Sequence, residues 1–150
     1  MYILNDILFR STVMSNFVTV LYCMINRERN TLTLSNAGHQ PLLVYRPKSD
    51  EFIEVQSSSM PLGVSKSIAL EEKEIQLFKG DRVLLYTDGI IECADPDRKE
   101  FGDDGFRELI RSNCRLSPNQ FTDKLLSTLK SFSGRDKFDD DVCLIVFDVL

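Results

Sequence analysis

The side chains with the most chemistry to offer are aspartates set against the ends of two apolar runs. Asp88 directly follows Arg82-Val83-Leu84-Leu85-Tyr86-Thr87, and Gly89 comes next, a residue whose backbone freedom lets the chain turn sharply. Asp139-Asp140-Asp141 directly precede Val142-Cys143-Leu144-Ile145-Val146-Phe147. Both runs read as strands, the first so continuously apolar that both its faces should be buried. If the two strands are antiparallel neighbours, the end of one lies beside the start of the other. Asp88 then shares a sheet edge with residues 139–141. Carboxylates crowded at one edge repel each other unless a cation compensates them. Hard divalent ions such as Mg²⁺ and Mn²⁺ take oxygen ligands and suit such an edge. Aspartates beside strands are also common turn residues, so a plain turn at Asp88 and a solvated loop at 139–141 stand as the alternative.

Other chemistries lack raw material. His39 is the only histidine, which leaves nothing to build a catalytic triad or a zinc site of several histidines. No phosphate-binding Gly-rich loop is present. Asp95-Pro96-Asp97-Arg98-Lys99-Glu100 begins like a calcium loop, but Lys99 and Glu100 occupy the places of a ligand and of the turn glycine. That segment reads as a solvated turn. Cys23, Cys93, Cys114 and Cys143 are scattered without a Cys-x-x-Cys pair, as expected of reduced thiols. A net charge of −5 repels phosphate backbones, so nucleic acid is not an expected partner. No apolar run is long enough to cross a bilayer, and the opening residues carry Asp6 in place of a basic leader. The expectation is a cytoplasmic chain without membrane contact.

These aspartates need a scaffold, and the pattern supplies one. At 43% hydrophobic and 27% charged, the 150 residues have the composition of one globular domain spanning 1–150. Residues 2–9 space Ile3, Ile7 and Leu8 as a helix. Residues 17–25 and 31–35 read as a hairpin about 26–30, and residues 42–45 and 52–55 as a second pair about 47–50. A loop follows at 57–63, then an alternating segment at 74–77 and a turn at 79–81. Phe106, Leu109 and Ile110 share a helical face. Ser117, Pro118 and Gln120 form the start of another helix, with a capping box, and Phe121, Leu125, Leu129 and Phe132 make its apolar stripe. Hairpins, two helices and a closing strand indicate an α+β layered domain.

Six short motifs then occur in a telling order: Phe17-Val18-Thr19, Asn36-Ala37-Gly38-His39-Gln40-Pro41, Pro61-Leu62-Gly63, residues 80–92 with Thr87-Asp88-Gly89 among them, Phe101-Gly102, and Asp140-Asp141-Val142-Cys143-Leu144. Together they resemble the SpoIIE-like branch of the metal-dependent (type 2C) serine/threonine phosphatases. The resemblance implies a layered antiparallel β-sandwich flanked by helices, with two Mn²⁺ or Mg²⁺ ions in a cleft at the sheet edge. It implies that Asp88 and Asp140 are metal ligands, with Gly89, Asp141 and His39 as possible supporting residues and His39 more a shaping residue than an acid. The activity implied is hydrolysis of phosphoserine or phosphothreonine on a regulatory protein, such as an anti-sigma-factor antagonist.

Two departures qualify the match. Cys143 stands where the family has threonine, a small change because cysteine fits a strand. The family's Gly-Asp-x-x-Asp, whose aspartate bridges the metals, has no counterpart before Phe17. The expectation is therefore a phosphatase domain without its first strands and first helix. The rival is a non-catalytic binding module that has lost the bridging ligand. A Gly-Asp-x-x-Asp encoded in frame before Met1 separates the two readings. Missing strands also leave an unpaired sheet edge, which favours self-association.

Overall fold

A computed structural model of the chain describes residues 1–11, 17–56 and 59–150. In chain order the elements are α1 (Tyr2–Ser11), β1 (Val20–Asn26), β2 (Thr31–Ala37), β3 (Leu42–Arg46), β4 (Glu51–Val55), β5 (Glu72–Gln76), β6 (Arg82–Tyr86), α2 (Gly102–Ser112), α3 (Pro118–Ser133) and β7 (Leu144–Asp148). They fall into two compact units. One comprises Met1–Pro41 with Val55–Phe78, the other Leu42–Glu54 with Lys79–Leu150. Each holds an antiparallel sheet with helix, as the α+β reading expected.

In the first unit the sheet order is β1-β2-β5. The β1–β2 hairpin closes because the Asn26 side-chain oxygen accepts the backbone N–H groups of Glu28 and Arg29, each at 3.1 Å. The helix α1 is pinned by Asn5, a buried amide. Its nitrogen donates to the carbonyls of Ser65 and Lys66 at 3.0 and 3.3 Å, and its oxygen accepts from the Gly63 N–H at 2.9 Å. Met1 and Leu8 then pack with Val20 and Leu70 onto Ala37, Leu62 and Ile68.

In the second unit the order is β4-β3-β6-β7. Leu84, Tyr86 and Ile90 meet Phe106, Leu109 and Ile110 of α2 and Phe121, Leu125 and Leu129 of α3 in one core. The helix α3 begins as its sequence indicated. Ser117 Oγ accepts the Gln120 N–H, and the Gln120 side chain accepts the Ser117 N–H at 3.0 Å.

Of the boundaries that differ from expectation, three have a visible cause. The first strand starts at Val20 instead of residue 17, because Val18 is engaged in an isolated two-way bridge with the Leu62 backbone. The segment expected at 74–77 runs Glu72–Gln76, since the Leu77 N–H turns to the Asn30 carbonyl at 2.8 Å. The last strand starts at Leu144 instead of residue 142, because Cys143 spends its N–H on a side chain. Within the expected loop at 57–63, Ser57 and Ser58 lie outside the described residues.

One polar side chain sits at the centre of the second unit. Arg82 is only 2% exposed, yet each of its nitrogens has a partner. Its Nε and Nη2 donate to the two carboxylate oxygens of Asp148 at 2.7 and 2.9 Å, and its other donors reach the carbonyls of Asn113 and Leu116. The guanidinium also lies 5.2 Å from the centre of the Phe121 ring. It thereby joins β6, β7, the α2–α3 connection and α3. Asp148→Ala strands this buried charge and should cost about 3 kcal/mol of stability. The double change Arg82→Met with Asp148→Leu should cost less, a difference that urea unfolding followed by circular dichroism measures directly.

Candidate functional site

The edge at which Asp88 and Asp140 meet is built by strand pairing. β6 and β7 are antiparallel, and their last partners are Tyr86 and Leu144. The chain therefore leaves β6 through Thr87 and Asp88 where it enters β7 from residues 140–143. Thr87 carries the ladder one step beyond the strands. Its N–H donates to the Cys143 carbonyl at 3.2 Å. Its hydroxyl donates to the Asp141 carbonyl at 2.8 Å and accepts the Cys143 N–H at 2.9 Å. One side chain thus ties both aspartate-bearing segments together.

Asp88 opens a single 3₁₀ turn, Asp88–Ile90, closed by the Ile90 N–H on the Thr87 carbonyl at 3.2 Å and the Glu92 N–H on the Asp88 carbonyl at 2.9 Å. Gly89 matters here for a different reason from the one its sequence suggested. Its backbone is not in the left-handed region that favours glycine; what it provides is room. A Cβ there would lie 2.6 Å from the Asp141 carbonyl oxygen. Any side chain at 89 would drive the two segments apart.

Asp88, Asp140 and Asp141 are all exposed at this edge. The Asp140 carboxylate accepts the Asp141 N–H at 2.7 Å, which orients it, and Asp139 pairs with Arg135. Beside them is a cleft of about 140 Å³ whose lining includes Gly89, Glu92, Cys93, Arg135, Lys137 and Asp140. Burial pushes the Cys93 thiol up from its ordinary pKa, so it lines the cleft as a neutral group. Sequence reasoning gave no role to Glu92, Cys93, Arg135 or Lys137. No local signal could have found them, since only the β6–β7 pairing brings segments some forty residues apart to one cleft.

His39 belongs to the first unit. The Asn36 side chain knots residues 36–40, accepting the His39 N–H at 2.8 Å and donating to the His39 and Gln40 carbonyls at 2.9 and 3.2 Å. Gly38 has φ +73°, and a Cβ on it would fall 2.4 Å from Pro61 Cγ. The loop is thus built for a backbone contact with Pro61, and the His39 ring stands 3.4 Å from the Thr19 hydroxyl. Residues 95–100 form a turn, as their sequence indicated, with Asp95 Oδ1 accepting the N–H groups of Asp97 and Lys99 at 2.9 Å each.

As a metal site the edge is right in kind and short in number. Carboxylate oxygens suit a hard divalent ion, which takes about six ligands. Among the described residues, however, no three of His, Cys, Asp and Glu are grouped so that they could hold one.

The family model for stage II sporulation protein E (SpoIIE) matches residues 1–150. The chain belongs to the SpoIIE family. Among curated relatives, it is 30% identical over 90 residues to the phosphoserine phosphatase RsbU of Bacillus subtilis (strain 168), which is 60% of this chain and 27% of that protein. It is 25% identical over 134 residues to the phosphoserine phosphatase RsbP of the same organism, 89% of this chain and 31% of that protein. This SpoIIE-family chain therefore spans about three tenths of the length of these relatives. Among solved structures, the SiaA-PP2C domain of Pseudomonas aeruginosa superposes with a TM-score of 0.75 at 20% identity, over 87% of this chain and 51% of that one. The PP2C phosphatase domain of SpoIIE from Bacillus subtilis, with a fragment of its regulatory domain, gives 0.75 at 23% identity, over 97% and 42%. Those likenesses establish the fold, the mixed helix and antiparallel-sheet fold of PP2C phosphatase domains. The SpoIIE-family chain covers about half of each such structure.

The Thr87 clasp and the Gly89 contact are separable. Thr87→Val leaves the Asp141 carbonyl and the Cys143 N–H without their hydroxyl partner and should cost about 1–2 kcal/mol. Amide exchange at Cys143 should quicken in Thr87→Val and stay near wild type in Thr87→Ser. Gly89→Ala should keep the hydroxyl but shift the backbone resonances of residues 139–143.

Proposed function

We propose that this chain is the part of a metal-dependent PP2C-type serine/threonine phosphatase domain that supplies Asp88 and Asp140 to a Mn²⁺ or Mg²⁺ centre. The activity proposed is hydrolysis of phosphoserine or phosphothreonine on a regulatory protein, of the anti-sigma-factor-antagonist type. The observation that carries this reading is the β6–β7 edge, where Thr87 and Gly89 hold the two aspartate segments against each other in a SpoIIE-family chain. RsbU and RsbP, both phosphoserine phosphatases, support the substrate class, and a SpoIIE phosphatase domain studied after Mn presoaking supports the ion.

When bound, such ions lower the pKa of water and neutralise charge on a transferring phosphoryl group. The residues of this chain do the positioning. Asp88 and Asp140 present carboxylates to solvent, where a large phosphoprotein can reach them. Thr87 fixes the spacing of their backbones, and Gly89 lets those backbones close. Asp141 contributes its carbonyl to the Thr87 clasp, and the Arg135 pair restrains Asp139. Without such restraint the two carboxylates would repel each other and splay.

A second reading, a non-catalytic binding module of the same fold, is favoured by one observation. Among the described residues no three-ligand group stands ready to hold an ion.

Calorimetric titration with Mn²⁺ should show weak binding that weakens further in Asp88→Asn and in Asp140→Asn. Unchanged binding in both variants sinks the shared site. The 150 residues alone should hydrolyse p-nitrophenyl phosphate barely above background, because in-line alignment is worth effective molarities of about 10⁵ M or more. Adding the family's upstream segment in cis should restore turnover by orders of magnitude, and Asp88→Asn should abolish it again. A well-folded extended chain that binds Mn²⁺ and stays inactive favours the binding module.

A further inference from the structure

The cleft beside the aspartate edge contains a cation that its surroundings do not answer. Its charged lining sets Glu92, Asp139 and Asp140 against Arg135 and Lys137. Arg135 and Asp139 satisfy each other in an i,i+4 ion pair. The Lys137 side chain makes no ion pair or hydrogen bond among the described residues. A lone exposed lysine is ordinary. This one differs because the loop that carries it is fastened on both sides.

On the side of α3 the helix stops at Gly134, whose φ of +65° turns the chain and whose N–H returns to the Lys130 carbonyl at 3.0 Å. The Ser133 hydroxyl accepts the Arg135 N–H at 3.3 Å, and the pair of Arg135 with Asp139 closes residues 135–139 into a loop. On the side of β7, Phe138 packs against the core of the second unit. Asp140 follows, lining the same cleft, and the Thr87 clasp holds Asp141 and Cys143 just beyond it. Lys137 is thus kept at the cleft wall, three residues before a carboxylate of the aspartate edge.

Charge decides what such a cleft accepts. A phosphoserine carries about −1.5 to −2 charge near pH 7, and carboxylates repel it. A divalent ion at Asp88 and Asp140 would offset those two groups, and Arg135 already answers Asp139. Cys93, held neutral by burial, adds no opposing charge. Lys137 is the cation in the cleft still free to meet the incoming dianion. Its ammonium is a compact point charge with three donors on a flexible stem, which can follow a tetrahedral group as it settles. We propose that Lys137 is a substrate-binding residue that donates to the phosphoryl oxygens from the α3–β7 loop. The proposal rests on the phosphatase reading for the identity of the phosphate carrier; the cleft and its unanswered cation do not depend on it.

Phosphorus NMR titration of O-phospho-L-serine into the 150-residue chain, with Mg²⁺ so that the signal stays sharp, tests this. Saturable binding is expected. Lys137→Gln should weaken it about tenfold, as for the loss of a hydrogen bond between charged groups, and Lys137→Arg should largely keep it. Lys124→Gln, an equal loss of charge at an exposed position of α3, should leave it unchanged. Absence of saturable binding overturns the proposal, as does an affinity indifferent to Lys137→Gln or lowered as much by Lys124→Gln. Mg²⁺ affinity, measured by calorimetry, separates this idea from the metal centre. If Asp88→Asn leaves Mg²⁺ affinity unchanged while Lys137→Gln still weakens phosphoserine, the metal reading fails and the lysine site stands. If Asp88→Asn weakens Mg²⁺ but phosphoserine ignores Lys137→Gln, the lysine site fails and the metal reading stands.

Discussion

At one end of the β6–β7 ladder the buried Arg82 guanidinium grips both oxygens of Asp148; at the other, the Thr87 hydroxyl bridges Asp141 and Cys143. Five register pairs make up this ladder, the first of them Arg82 with Asp148 itself. Slipping that register by one residue would turn each β7 side chain to the opposite face, and both fastenings would be lost together. Arg82 is thereby tied to the aspartate edge although it lies at the far end of the strand from it. Its four protein contacts set where β7 lies, and the position of β7 decides whether residues 140 and 141 come up against Gly89. The desolvation of Arg82 is tolerable because each of its three nitrogens donates to an oxygen.

How much of this could be read beforehand depended on how local the signal was. The start of α3 was legible to the residue, because Ser117, Pro118 and Gln120 act on one another within a single turn. The β1–β2 hairpin was legible because Asn26 makes its own turn. The strand boundaries at 17 and 142 were not. They are set by Val18 meeting Leu62 and by Cys143 meeting Thr87, partners that lie 44 and 56 residues away. Propensity alone extends a strand for as long as apolar residues continue; hydrogen-bond competition from distant groups ends it.

The aspartate edge was legible for a general reason. Residues that directly flank two buried strands must emerge at a sheet edge, and antiparallel pairing puts the exit of one beside the entrance of the other. The cleft beside it was not legible, because α3 and its following loop contribute Ser133, Arg135 and Lys137 through tertiary placement alone. Gly89 is instructive in another way. Conformational freedom was the obvious explanation for a glycine after Thr87-Asp88, yet its backbone is ordinary and the constraint is steric, the approach of a carbonyl from 52 residues further on.

The interleaving of the two units also bears on how the molecule comes together in time. Leu42–Glu54 belongs with Lys79–Leu150, so the chain starts the second unit, leaves it to complete the first, and then returns. β3 and β4 have no interior partner until β6 emerges, and the aspartate edge has no second side until β7 arrives some sixty residues later still. During vectorial synthesis, then, Asp88 leaves the ribosome well before Asp140 exists, and the early strands must wait with apolar surface uncovered. Long-range closures of this kind are slow to form. A nascent chain interrupted before Leu144 would carry nearly all the residues of the core and none of the edge geometry, which makes β7 the element whose arrival commits the fold.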